Sequence, residues 1–219
     1  MKKLIIAISG LILFANSAIS AGFSPSIGVS GSWAAYSATG AESEYTGGAV
    51  VEKSKRKVKG AFATEYASVF VELGLNDAIS LGLDYVPMSF ETPQNISNEN
   101  NPNQNRVSAK FSDLTTIYAK INVPLGGTYL KLGYSQVDVI SQESMSSGST
   151  YGDETTNGMT VGLGYGHEIG NGISVRAEVM ASEFDDVSTK SNATSAERTQ
   201  IDVSDMIGAR GTISVVKSF

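Results

Sequence analysis

The chain has 219 residues, with 16 Lys and Arg against 22 Asp and Glu, a formal charge of −6, and no cysteine. That balance makes the protein as a whole a poor nucleic-acid or other polyanion binder. The missing thiols exclude a disulfide scaffold and any thiolate metal site.

Lys2 and Lys3 precede an apolar run from Leu4 to Phe14, followed by the small residues Ser17, Ala18, Ser20 and Ala21. This is the layout of a cleaved secretory signal over residues 1–21, with a positive start, an apolar segment short for a bilayer, and a small-residue end. Ala18-Ile19-Ser20 fits cleavage before Ala21, and cleavage after Ala21 fits nearly as well. Removing it leaves 14 basic against 22 acidic residues, a net charge of −8. No second long apolar stretch follows, so helical spanning is excluded.

Residues 22–219 alternate. In the first run Phe23, Ile27, Val29, Trp33 and Ala35 share one parity, and Ser24, Ser26, Gly28, Ser30 and Ser32 share the other. Ala67, Val69, Val71, Leu73 and Leu75 repeat the dyad. A tight turn at Asn76-Asp77 leads to Ile79, Leu81, Leu83 and Tyr85. Ile117, Ala119, Ile121 and Val123 then pass through Pro124-Leu125-Gly126-Gly127 to Leu130, Leu132 and Tyr134. Met159, Val161, Leu163 and Tyr165 pass through Gly170-Asn171-Gly172 to Ile173, Val175, Ala177 and Val179, and Ile207, Ala209, Ile213, Val215 and Phe219 end the chain. Period-two alternation over runs of about ten residues is the signature of strands with one apolar face.

Connections alternate as well. Short turns lie near residues 76, 126 and 170, and long polar segments cover 40–60, 90–106, 141–157 and 184–200. The expected fold is therefore all-β, a closed antiparallel up-and-down transmembrane barrel of eight strands, with ten as the alternative count. Three short turns face one side and four mobile loops the other.

The polar parity carries Glu72, Asp84, Lys120, Lys131, Arg176, Glu178 and Arg210. An eight-stranded barrel has room inside for side chains only, so opposite charges there should pair. Glu72, Lys120, Lys131 and Arg176 each lie about four residues from a short turn and should share one level, with Asp84, Glu178 and Arg210 above them. The reading is a structural ionic plug. Gly162, Gly164 and Gly166 on the same parity leave room for long side chains from other strands. Trp33, Tyr85, Tyr134 and Phe111 on the outward parity form one aromatic girdle, and Phe23, Tyr165 and Phe219 the other.

With this strand pattern, the chain resembles the small outer-membrane barrels that include the OmpA transmembrane domain, OmpX and the opacity-type adhesins. The resemblance implies bacterial outer-membrane lipid and lipopolysaccharide as surroundings, a monomer, and loops that meet a host or cell-surface ligand. It also implies that Phe219, with Val215 and Ile213 on its parity, is the signal read by the barrel-assembly machinery. Lys217 departs from that lipid-facing pattern and is tolerable only at the interface, where lysine can snorkel.

The only histidine, His167, ends a strand beside a short turn. Enzymes of similar architecture, lipid A-modifying enzymes and proteases, carry catalytic histidine near the outer rim, so an enzyme is not expected. No catalytic, cofactor or metal residue is assigned. Lys53, Lys55, Arg56, Lys57 and Lys59 concentrate positive charge in the first loop, where they could meet lipopolysaccharide phosphates or host polyanions. The expected role is structural or adhesive, carried by the loops, with a narrow pore for small solutes as the alternative.

Deleting Phe219 should reduce assembly in cells far more than refolding into detergent, as a recognition signal requires. Equal losses in the two assays would assign Phe219 to packing instead.

Overall fold

A computed structural model describes residues 23–46, 49–50, 56–97, 105–144, 150–192 and 199–219. The expected signal segment, Lys53 and Lys55 lie outside the described residues, as does the side chain of Arg56.

The strands are β1 (Ser24–Thr46), β2 (Ala49–Val50), β3 (Arg56–Gly74), β4 (Ile79–Tyr85), β5 (Phe90–Glu91) and β6 (Asn95–Ser97). There follow β7 (Asn105–Asn122), β8 (Thr128–Ser144), β9 (Glu154–Gly170), β10 (Ile173–Phe184), β11 (Val187–Lys190) and β12 (Thr199–Ser218). Eight of them, β1, β3, β4, β7, β8, β9, β10 and β12, form an antiparallel ring. The ring closes where β1 pairs with β12, from Ser26↔Ser218 to Glu44↔Thr199. Closure satisfies the backbone groups that an open sheet would leave at its edges.

The short turns have residue-specific causes. Asn76 Oδ1 accepts the backbone N–H groups of Ala78 and Ile79, both at 2.9 Å. Gly126 and Gly127 take φ of 54° and 89°, a region open to glycine at little cost.

The outward parity of the strands holds exposed apolar residues, among them Val29, Leu81, Ile117, Leu132, Val161, Val179 and Ile213. Trp33 and Tyr134, and at the short-turn end Phe23, Tyr165 and Phe219, are exposed on the same outer surface.

Two expectations are corrected. Among the described residues, the segments read as loops are largely strand: β1 and β3 stay in register from Ser24↔Gly74 out to Glu42↔Arg56, and β7 pairs with β8 from Asn122↔Tyr129 to Arg106↔Ser144 across one register shift. Beyond the apolar belt both faces of these ribbons meet water, so the sequence loses its alternation while the ladder continues.

Phe111 faces the lumen. A one-residue bulge between Ser112 and Thr115, with Asp113 at φ 54°, reverses the parity of β7 above it. Phe111 then stacks on Phe62 and Phe90 at 6.0 and 5.4 Å.

The wall also has a seam. β4 pairs with β3 only from Val69↔Tyr85 to Gly74↔Ser80, and above that level β5 and β6 pair with β7 alone. The Ala67 N–H there donates to Met88 Sδ, a weak acceptor, at 3.3 Å. Side chains seal what hydrogen bonds do not. Phe90 packs on Phe62 and Tyr66 across the seam, beside buried Ala34, Val86, Leu114 and Val137.

Phe90→Ala should therefore cost about 3 kcal/mol of stability, lower the unfolding midpoint accordingly and expose residues 86–91 to protease, since the ring joins both sides of the seam. Unchanged stability and protease resistance would show that the seam closes without it.

Candidate functional site

Three aromatic rings organise the short-turn half of the lumen. Phe70 lies opposite Gly28, Tyr118 opposite Gly82 and Tyr129 opposite Gly164 in the strand register. A Cβ added at Gly82 would overlap the Tyr118 ring, and one at Gly164 the Tyr129 ring. Glycine thus lets each ring lie flat on the neighbouring strand, leaving the axis to charged side chains.

Those charges form one connected floor. Arg176 Nη1 lies 2.6 Å from Glu72 Oε1 and Lys120 Nζ 3.0 Å from Glu72 Oε2. Lys131 Nζ lies 3.3 Å from Glu178 Oε2. Tyr118 and Tyr129 donate their hydroxyls to Glu72 at 3.0 Å and Glu178 at 2.8 Å. The rings also take the cations on their faces, most closely Lys131 over Tyr118 at 3.8 Å, with Arg176 over Phe70 and Tyr129 at 5.9 and 5.8 Å. Charge-assisted hydrogen bonds and ring faces together replace the hydration that burial removes.

Glu178, expected above this level, belongs to the floor. Strands in a barrel tilt, so residues equally far from their turns do not share a height. Asp84 and Arg210 differ from expectation in another way, because neither joins an ion pair among the described residues. Arg210 donates instead to Tyr66 Oη and Met180 Sδ, both at 3.1 Å. Asp84 is buried, with Oδ1 lacking a hydrogen-bond partner.

Above the floor runs a belt of hydroxyls, with Ser30 on Ser68 at 2.6 Å, Ser32 on Thr212 at 2.9 Å and Thr116 on Ser135 at 2.8 Å. The aromatic cluster around Phe90 fills the lumen beyond the belt. Below the floor, a cavity of about 300 Å³ is bounded by Lys120, Asn122, Thr128, Tyr129, Glu168 and Arg176.

The sequence indicates that the inward glycines leave room for long Lys, Arg or Tyr side chains, but not which ring meets which glycine or that Tyr118 and Tyr129 join the charged floor. Their signal is an aromatic on the inward parity facing an inward glycine of the next strand, and only the register reveals it.

Elsewhere, Ile213, Val215 and Phe219 lie exposed on the outer surface. Lys217 donates to the Asn171 carbonyl at the short turn, with its ammonium 5.8 Å from the Phe219 ring. His167 pairs with Val175 in the β9–β10 ladder beside the short turn. Lys57 and Lys59 are exposed on β3, opposite Ala41 and Thr39 of β1. Among the described residues no group of three or more His, Cys, Asp or Glu could hold a metal ion.

A family model described as outer membrane protein beta-barrel domain matches residues 6–204. Among solved structures, the chain is similar to the outer membrane protein OprG from Pseudomonas aeruginosa. The identity is 13%, the TM-score 0.52, and the match covers 89% of this chain and 95% of that one. It is also similar to the outer membrane protease OmpT from Escherichia coli, with 12% identity and a TM-score of 0.46, over 89% of this chain and 97% of that one. At these identities the likeness concerns the fold. No curated protein sequence matches this chain.

Glu72→Ala would leave Arg176, Lys120 and Tyr118 without their shared acceptor. A stability loss of about 3 kcal/mol is expected, at the low end for a broken buried pair because Lys120 borders a cavity that admits water. Denaturant titration followed by gel mobility measures it, and Glu72→Gln should lose less. A variant as stable as the parent would mean that the floor carries no cohesive role.

Proposed function

The chain belongs to the outer-membrane β-barrel family and resides in the bacterial outer membrane, and from that premise we propose that it is a closed, non-conducting barrel working at the cell surface through its outer ribbons. The observation that carries this reading is the double filling of the lumen. The ion-paired floor blocks one half and the Phe90 cluster the other, with a hydroxyl belt between them. A solute would have to break both layers.

The work then falls to the ribbons. β1 with β3 and β7 with β8 stand beyond the length of about 9–11 residues that a membrane strand needs. The β1–β3 ribbon carries exposed Lys57 and Lys59 next to Lys53, Lys55 and Arg56 in the sequence. This is a local positive field on an acidic protein, suited to phosphate or sulfate groups of lipopolysaccharide or host polyanions. No catalytic role is assigned, and His167 lies at the opposite end from the ribbons.

Biogenesis fits the same picture. Residues 1–21 serve as the cleaved export signal, and residues 22–219 make the barrel, which works as a monomer. Phe219, Val215 and Ile213 are the signal for the assembly machinery.

In planar bilayers the wild type should stay electrically silent, and its binding to an immobilised sulfated polysaccharide should weaken in a Lys57→Gln, Lys59→Gln double variant. Loss of two contacts should also flatten the salt dependence, by a log–log slope of up to about two. Open channels of porin size would replace this reading with a diffusion pore. Undiminished binding by the double variant would remove the basic ribbon from it.

A further inference from the structure

The charged floor is not neutral. Lys120, Lys131 and Arg176 share only two carboxylates, Glu72 and Glu178, so one positive charge has no carboxylate of its own. The side chains of Glu72 and Glu178 are 2% and 5% exposed, whereas those of Arg176 and Lys120 are 8% and 11% exposed. Glu72 therefore sits deeper than its two cations, and Arg176 and Lys120 line the cavity at the short-turn end.

What they face is the cavity of about 300 Å³, whose wall adds Asn122, Ser174 and Thr128. Both Glu72 oxygens are already engaged, Oε1 by Tyr118 and Arg176 and Oε2 by Lys120. Arg176 uses Nη1 for that contact. Among the described residues only Asp84 Oδ1 is a fully buried polar side-chain atom without a partner. Arg176 itself lines the cavity, and its contact with Glu72 engages Nη1 alone.

We infer that this cavity binds a small oxyanion, a phosphate or carboxylate solute entering at the short-turn end, between Lys120 and Arg176. The guanidinium fork matches an oxyanion's geometry, and the low-dielectric barrel wall concentrates the field of the extra charge. A neutral solute would leave that charge unbalanced, and a cation would meet Lys120 and Arg176 first. Glu168, exposed on the cavity wall, opposes the anion and sets an upper limit on its affinity. The site lies below the floor, so it needs no passage through the lumen and is separate from the surface role of the ribbons.

The test is titration of the full barrel, refolded in detergent, with inorganic phosphate and with succinate, at ionic strength held constant by chloride. Heat of binding and the amide shifts of Gly127 and Gly166 are the readouts. Saturable binding is expected. Lys120→Gln, which keeps the Arg176–Glu72 pair, should weaken it about tenfold, as loss of one charge-assisted hydrogen bond does. Glu168→Gln should tighten it, and the ribbon variant Lys57→Gln, Lys59→Gln should leave the phosphate-induced shifts of Gly127 and Gly166 unchanged. Non-saturable shifts, equal shifts with chloride, or affinities that neither Lys120→Gln nor Glu168→Gln moves would overturn the inference.

Discussion

Closing eight strands leaves a lumen no wider than its own side chains, and each charge admitted there must find its partner inside. Glu72 is where that constraint is met. It accepts from Arg176, Lys120 and Tyr118, reached from β10 and β7, and so ties non-adjacent strands across the axis. The rings that shape the space around it lie flat because Gly28, Gly82 and Gly164 have no side chains. Wall and floor are thus one construction, since the glycines weaken strand cohesion locally and the rings restore it.

The outer half obeys the same constraint by other means. Beyond the bulge at Asp113 an apolar parity turns inward, and the lumen is filled by stacked rings instead of ion pairs. Those rings also close the seam that β4 leaves by ending at Tyr85. Ring packing is less directional than a hydrogen-bond ladder, so this side of the wall should open at lower free energy than the β1–β12 side, where pairing is continuous through a single irregularity near Ser37 and Asp205.

The chemistry is consequently divided by level. The floor holds the ion-paired charges, and Lys120 and Arg176 border the cavity at the short-turn end. The hydroxyl belt and ring cluster hold the middle, and the ribbons carry the exposed lysines outward. The exposed lysines of the ribbon can change independently of barrel cohesion, because neither Lys57 nor Lys59 is bonded to Glu72 or Phe90.

Strand type, facing and number were legible in the sequence, since alternation is a local record of which side chains meet lipid and which meet the lumen. The inward charges and the short turns could be read the same way. The extent of the ribbons could not, because strands with water on both faces lose their alternation. Nor could the inward turn of Phe111 be seen, because one extra residue at Asp113 reverses every side chain above it without changing the composition. Height within the barrel was equally hidden. Glu178 reaches Lys131, while among the described residues Asp84 and Arg210 join no ion pair, because strand tilt and closure set those distances. Periodicity along one strand belongs to the chain itself; tilt, bulge and cross-axis contact are decided only when all eight strands close on one another.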